Sequence, residues 1–170
     1  MIQVMLKVAP KHILSYFFLY FAGKMCDPLV DPNECVCVFL LEVAKDDVVE
    51  IFFTNPAGKY AIAHPAHLHG YDHAIIATGE IPEDVEDMNE WVRQQNEAGN
   101  VQRNLMDPPR KDSVQTIPGS YMLVRFLADN PGFWIWHCHI SFDAFQGQAL
   151  VFKVGERGDW DIPDDFPTCS

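Results

Sequence analysis

The sequence has few basic residues, with 12 lysines and arginines against 24 aspartates and glutamates and a formal net charge of −12 at pH 7. This acidity argues against nucleic acid and anionic membrane surfaces as partners, because both carry dense negative charge. No apolar run reaches the roughly 20 residues that a membrane-spanning helix requires, so no transmembrane span is predicted. Asn-x-Ser/Thr glycosylation sites, internal repeats and low-complexity linkers are absent as well.

Apolar residues, in contrast, are plentiful enough for one core. They make up 48% of the 170 residues, and this length is typical of one domain. Residues 1–25 are left unassigned. Their apolar stretch from Ile13 to Gly23 follows Lys7 and Lys11, which is typical of a signal peptide. However, Tyr20 and Phe21 stand where a cleavage site needs small residues. The alternatives are the tail of a preceding domain or a start inside a longer coding sequence.

Short stretches rich in β-branched and aromatic residues, separated by Gly, Pro and Asp turn signals, fill most of the chain. This pattern predicts an all-β fold of the Greek-key β-sandwich type. One helix interrupts the strands, because side chains recur at helical spacing between Pro82 and Gly99. That spacing is formed by Val85, Met88, Trp91, Val92 and Gln95. The predicted strands cover 35–43, 48–55, 74–78, 121–127, 133–138 and 149–154.

Two imidazoles flank a thiol in the stretch Trp136-His137-Cys138-His139-Ile140. Side chains alternate between the two faces of a strand, so His137 and His139 point to one face and Cys138 to the other. The upstream stretch His64-Pro65-Ala66-His67-Leu68-His69 repeats this alternation with His67 and His69. Imidazole and thiolate ligands suit copper better than calcium or magnesium. The sequence therefore predicts one metal site in front of the strand and a second site behind it.

These stretches resemble the C-terminal cupredoxin domain of laccases, which are multicopper oxidases, and are most similar to the arthropod branch. The matching segments are 64–71 (HPAHLHGY), 103–105 (RNL), 108–114 (PPRKDSV), 128–134 (ADNPGFW), 137–139 (HCH), 152–156 (FKVGE) and 166–169 (FPTC). The resemblance covers residues 26–170. It implies a plastocyanin-like multicopper oxidase domain, a cupredoxin-like Greek-key β-sandwich with one inserted helix.

The resemblance also implies copper as the cofactor, in a mononuclear (type 1) centre and a buried trinuclear cluster. His64 and Cys138 would be type 1 ligands. The ligands implied for the cluster are His67, His69, His137 and His139. Electrons would pass through the backbone from Cys138 to the histidines on either side of it. In full-length relatives, the implied reaction removes single electrons from phenols or diphenols and reduces dioxygen to water.

Two positions depart from the family pattern. Family members carry a histidine five residues after the cysteine and an axial Met, Leu or Phe five residues further on, where this sequence has Asp143 and Gln148. Glutamine is a weak axial ligand in some blue-copper sites, so Gln148 alone would only retune the reduction potential. Carboxylate is shorter and harder than imidazole. We therefore expect Asp143 to leave the type 1 centre absent or much altered.

Half of the cluster is missing, because in the family four of the eight cluster imidazoles come from an N-terminal domain. We therefore expect this chain to be a fragment of a longer secreted protein, or to pair with another chain. Three functions stay open: a domain of a laccase-like oxidase, a non-catalytic relative that keeps the fold, and a copper-binding module without turnover. A cupin-like cluster of His67, His69 and His73 is a further alternative, but it leaves Cys138 unexplained. Otherwise His73 is expected at the surface or next to the metal ligands.

Four cysteines remain if Cys138 is a metal ligand: Cys26, Cys35, Cys37 and Cys169. An even number suits an oxidising compartment, so disulfides and an extracellular location are expected. Cys35 and Cys37 are too close in an extended strand to pair with each other. Cys169 can bridge to the 26–37 region or to a domain outside this chain, and both pairings stay open.

Overall fold

The computed structural model describes residues 3–9, 15–19, 39–59, 61–145 and 147–167. The strands are β1 (Gln3–Ala9), β2 (Ser15–Leu19), β3 (Phe39–Val43), β4 (Val48–Asn55), β5 (His64–Leu68), β6 (His73–Glu80), β7 (Arg110–Lys111), β8 (Ser113–Thr116), β9 (Ser120–Leu127), β10 (Gly132–Cys138) and β11 (Ala149–Val154). The helices are α1 (Met88–Glu97), α2 (Ser141–Phe145) and a 3₁₀ turn at Arg157–Asp159. Within these ranges, no helix is both long and apolar enough to cross a membrane.

The strands form two sheets. The first has the order β2-β1-β4-β9-β6-β7, and the second has the order β3-β11-β10-β5-β8. Neighbouring strands are antiparallel except for β3 and β11, which run parallel. The predicted all-β fold is confirmed. Part of the unassigned N-terminal segment joins it, since β1 pairs with β4 from Gln3 opposite Thr54 to Ala9 opposite Val48.

Strand β4 is buried on both faces, which explains its nearly continuous apolar sequence. Ile51 and Phe53 belong to the core between the two sheets, where Trp136 stacks on Phe53 with ring centroids 5.1 Å apart. Phe52 faces the other way and packs in a second cluster with Val92 of α1. Each fully buried side chain of this size contributes roughly 1.5–3 kcal/mol. The first sheet is thus fixed between the second sheet and the helix.

Helix α1 begins at an N-cap, where the Asp87 carboxylate accepts a hydrogen bond from the Glu90 N–H at 3.0 Å. It is followed by Gly99 in the left-handed region, with φ of 77°. The predicted inserted helix is therefore present. A second helix, α2, was not predicted, because its five residues are too few to show a helical period. This short helix matters because it carries Asp143.

Some strands begin or end at other residues than predicted. Strand β4 and strand β11 have the predicted bounds, while β6 begins one residue earlier and ends two residues later than expected. Strands β7 and β8 were not predicted; they are only two and four residues long. Of the predicted strand 35–43, only Phe39–Val43 lies in the described ranges. Cys26, Cys35, Cys37 and Cys169 lie outside them, so the expected disulfides stay a prediction.

Candidate metal centres

Strand β10 positions both groups of candidate ligands. It lies inside the second sheet, between β11 and β5. His137 is directly opposite His67 in the register with β5, and Cys138 is opposite Ala66. The His139 N–H then donates to the Pro65 carbonyl at 2.7 Å, which holds the end of β10 against β5. The two histidine stretches therefore become neighbours although they are far apart in sequence.

The four histidines implied as cluster ligands lie together on one side of β10. Their ring centroids are 4.8 to 5.7 Å apart in the pairs His67–His69, His67–His137, His67–His139, His69–His137 and His137–His139. His67 and His137 are half-buried, whereas His69 and His139 are exposed. The group is thus a shallow site that is open to solvent on one side.

Hydrogen bonds orient two of these rings for metal binding. Nδ1 of His67 lies 3.1 Å from the Asp112 carbonyl oxygen and 2.9 Å from Ser113 Oγ. Nδ1 of His137 lies 2.9 Å from the Cys138 carbonyl oxygen. An imidazole that donates from Nδ1 keeps the lone pair of Nε2 free for a metal ion. In the sequence, Asp112 and Ser113 stood out only as members of the laccase-like segment 108–114, so their contact with His67 was missed.

One distance is close to that expected between two ligands of a single ion. His69 Nε2 and His137 Nε2 are 3.2 Å apart. Two nitrogens bound to one tetrahedral ion at 2.0–2.1 Å would be about 3.3 Å apart. Although His69 is exposed, partial loss of hydration around its ring lowers its pKa, and the neighbouring imidazoles of His67, His137 and His139 lower it further. This shift favours the neutral form, which is the form that binds metals.

A second group of donors lies on the opposite side of β10. His64 Nδ1 is 3.0 Å from Asp143 Oδ2, and Cys138 Sγ is 3.8 Å from His64 Nδ1 and 3.6 Å from Asp143 Oδ2. His64 and Cys138 are buried, and the Asp143 side chain is 13% exposed. Burial raises the pKa of the Cys138 thiol, and the Asp143 carboxylate adds to this rise. Without a metal, the thiol therefore donates its proton towards Asp143.

Gln148 is connected to this second group through the backbone. Its N–H donates to the Asp143 carbonyl at 3.0 Å, and its carbonyl accepts from the Cys138 N–H at 2.9 Å. The side chain is buried, and its Oε1 has no hydrogen-bond partner among the described residues. A buried carbonyl oxygen without a partner costs free energy.

The two groups differ in how well they fit copper. Four imidazoles are suitable copper ligands, so His67, His69, His137 and His139 fit half of a copper cluster. The group of His64, Cys138 and Asp143 fits a metal ion as well, but not type 1 copper. That centre requires two imidazoles and a thiolate in a trigonal arrangement, and among the described residues this side of β10 supplies one imidazole.

His73 does not join either group. Strand β6, which carries it, belongs to the first sheet, whereas His67 lies on β5 in the second. Of the two expected positions of His73, the surface is wrong, since His73 is fully buried with its ring against Phe53, while a place next to the metal ligands stays a prediction. Neither ring nitrogen has a hydrogen-bond partner in the described part of the chain. The placement also argues against a cupin-like cluster of His67, His69 and His73.

A β-sandwich with imidazoles on one side of a strand and a thiolate on the other has the features of a cupredoxin-like copper oxidase domain. The chain belongs to the multicopper oxidase family, whose model, described as "Multicopper oxidase", matches residues 27–158. The oxidases of this family depend on copper, as the name of the family states. Its fold is similar to that of the laccase from Botrytis aclada, with 25% identity and a TM-score of 0.50 over 86% of this chain and 26% of that one.

Curated relatives include plant laccases. Laccase-13 of Arabidopsis thaliana is 38% identical over 112 residues, which are 62% of this chain and 18% of the relative. Laccase-14 of Oryza sativa subsp. japonica is 30% identical over 129 residues, or 73% of this chain and 21% of the relative. The predicted laccase-like family is confirmed, while the arthropod branch stays a prediction. The chain spans about a fifth of the length of these relatives.

Proposed function

We propose that this chain is the C-terminal copper-binding domain of a laccase-like oxidase. In this proposal, His67, His69, His137 and His139 supply half of the ligands of a trinuclear copper cluster. The observation that carries it is the convergence of the four rings, with His69 Nε2 and His137 Nε2 3.2 Å apart. A hydrogen bond between His69 and His137 would account for that one distance, whereas a shared metal site accounts for the convergence of all four rings.

The missing ligands would come from N-terminal cupredoxin domains or from a partner chain. The exposed rings of His69 and His139 support this, because they mark the open side where a second domain would complete the cluster. Copper bound there would reduce dioxygen to water with electrons taken from phenols or diphenols. The role of this chain would be to hold four imidazoles in place, with Asp112 and Ser113 orienting His67. An extracellular location is part of the same proposal.

The first prediction concerns the chain on its own. The purified 170-residue protein should bind fewer coppers than a complete trinuclear cluster and should show no oxygen uptake with a diphenol. The reason is that four imidazoles cannot enclose three ions. Metal analysis and an oxygen electrode measure both quantities, and His137→Ala should lower the bound copper further. Sustained oxygen consumption by the monomeric chain would contradict the proposal.

A second candidate function is a non-catalytic relative that keeps the fold and the cluster half-site. Asp143 favours it, because the carboxylate lies 3.0 Å from His64 Nδ1, in the place that a second imidazole would need to take. Without a type 1 centre, electrons from an organic substrate have no entry point to the cluster.

The spectrum of the copper-loaded chain tests this candidate. It should lack the intense visible charge-transfer band of a thiolate bound to type 1 copper, and Asp143→His should restore part of that band. Asp112→His is the matched control, because it adds a histidine beside the cluster but not beside Cys138. A strong blue colour in the unaltered chain would show that another residue completes the site.

A further inference from the structure

The distances among His64, Cys138 and Asp143 are those of ligands around one small ion. Zinc-type bonds of 2.0–2.3 Å at tetrahedral angles separate an imidazole nitrogen from a carboxylate oxygen by about 3.4 Å, and separate a thiolate sulfur from either of them by about 3.6 Å. The structure has 3.0 Å for His64 Nδ1 to Asp143 Oδ2, and 3.8 and 3.6 Å for the two sulfur distances. Shifts of a few tenths of an ångström would bring all three donors onto a single ion.

The charge of this donor set selects a divalent ion. Thiolate and carboxylate together carry two negative charges, so a divalent ion makes the site neutral. A monovalent ion, such as reduced copper, would leave one negative charge in a pocket where His64 and Cys138 are buried. Burying an unbalanced charge is costly. A site with two imidazoles and one thiolate has the opposite preference, because the monovalent ion makes it neutral.

The hard carboxylate oxygen of Asp143 also favours a divalent ion over reduced copper. Reduced copper prefers soft ligands, whereas zinc accepts imidazole, thiolate and carboxylate in one tetrahedral site. A buried amide side chain also adjoins this donor set through its backbone. Gln148 is 7% exposed, its Oε1 has no hydrogen-bond partner in the described ranges, and its backbone bonds both Asp143 and Cys138.

We propose that His64, Cys138 and Asp143 form a structural site for a permanently divalent ion of the zinc class, and that this ion carries no electrons. The site and the copper half-cluster use different side chains on opposite sides of β10, so each proposal can fail without the other.

Cobalt(II) is the probe, because it replaces zinc and reports thiolate ligation through a near-ultraviolet charge-transfer band. The metal-free full chain should develop this band together with the visible absorption of tetrahedral cobalt, and zinc should abolish both. Cys138→Ser should remove the near-ultraviolet band. Asp143→Asn should weaken cobalt binding, and the near-ultraviolet band measures this binding. Loss of a residue that only supports a ligand lowers metal affinity by about 10–100-fold, and the loss here should be larger. Asp84→Asn, the same carboxylate-to-amide change at an exposed position outside both donor groups, should leave binding unchanged.

Zinc should also raise the thermal unfolding temperature of the unaltered chain, and the increase should be smaller in Cys138→Ser, because an ion that binds only the folded state stabilises it. This measurement also shows that the variant still folds. The proposal is overturned if cobalt gives no thiolate band, or if Asp143→Asn binds cobalt as tightly as the unaltered chain. In those cases, paramagnetic resonance should still show copper bound by imidazole nitrogens. The proposed copper half-cluster would then not be contradicted.

Discussion

Replacing Glu50 by alanine should lower the free energy of unfolding by about 3 kcal/mol, the lower end of the range for breaking a buried ion pair. Glu50 is 4% exposed in the middle of β4. Its Oε1 accepts hydrogen bonds from Arg103 Nη1 at 2.8 Å and from Arg125 Nε at 3.0 Å. Truncation would leave both guanidinium groups without their carboxylate. Because these side chains are 24% and 35% exposed, water would solvate them in part, which keeps the loss near 3 kcal/mol.

The pH dependence of this effect has a definite sign. Burial alone raises the pKa of Glu50, but hydrogen bonds from Arg125 and Arg103 outweigh it, and the net pKa lies below the usual 4.5. A carboxyl group with a lowered folded-state pKa stabilises the fold above its unfolded pKa, and this contribution is lost as the pH falls. The difference between the two proteins should therefore shrink in acid.

Urea unfolding of the unaltered chain and Glu50→Ala at several pH values measures both effects. Glu90→Ala is the matched control. Glu90 also pairs with an arginine, Arg93, but this pair lies on the surface of α1, where ion pairs contribute little. If the two variants lost the same stability, the buried ion pairs of Glu50 would have no special role in holding β4 to β9 and to Arg103.

The metal-free chain should lose up to about 3 kcal/mol of stability between pH 6.5 and pH 4 because of His73 alone. Burial, followed by the nearby His67, lowers the pKa of His73 to about 4, and Asp112 opposes this only in part. Between these pH values the unfolded chain binds a proton that the folded chain does not bind. Stability therefore falls as the pH falls, and this loss is complete only below the folded-state pKa.

Two substitutions separate the titration of His73 from its polarity. His73→Leu and His73→Asn should both flatten the stability curve in this pH range, since neither side chain titrates there. Only His73→Leu should also gain stability at neutral pH, because it removes two buried ring nitrogens without a partner in the described residues. Unfolding at each pH, with metal removed by a chelator, gives the curves. A slope in either variant equal to that of the unaltered chain would show that His73 does not cause the acid loss.

Much of the metal-site geometry follows from local rules. The alternation of a strand is enough to separate His137 and His139 from Cys138, and the same rule pairs His67 with His69. The burial of His73 could not be predicted in this way. It depends on β6 being covered on both faces, which follows from the order of strands in a sheet and from the position of α1.

The contacts of Asp112, Ser113 and Asp143 also depend on how distant elements pack, and so they could not be predicted from local patterns. Asp112 and Ser113 contact His67 because β8 pairs with β5, and no local sequence pattern predicts that pairing. Asp143 stands out as a departure from the laccase pattern, but its distance from His64 depends on α2. A helix of five residues is too short to predict from sequence. The sequence therefore identified Asp143 as unusual but could not predict its distance from His64.

The proposed half of the copper cluster is open to solvent, and this has a consequence for metal choice. Proteins select among transition metals mainly through the geometry and type of their ligands, since raw affinity follows a fixed order of ions. Exposed imidazoles such as His69 and His139 impose little geometry while one side is open. Such a surface would bind nickel, zinc and copper ions alike. Discrimination in favour of copper would then arise only upon assembly, when a second set of imidazoles fixes the number and direction of the bonds.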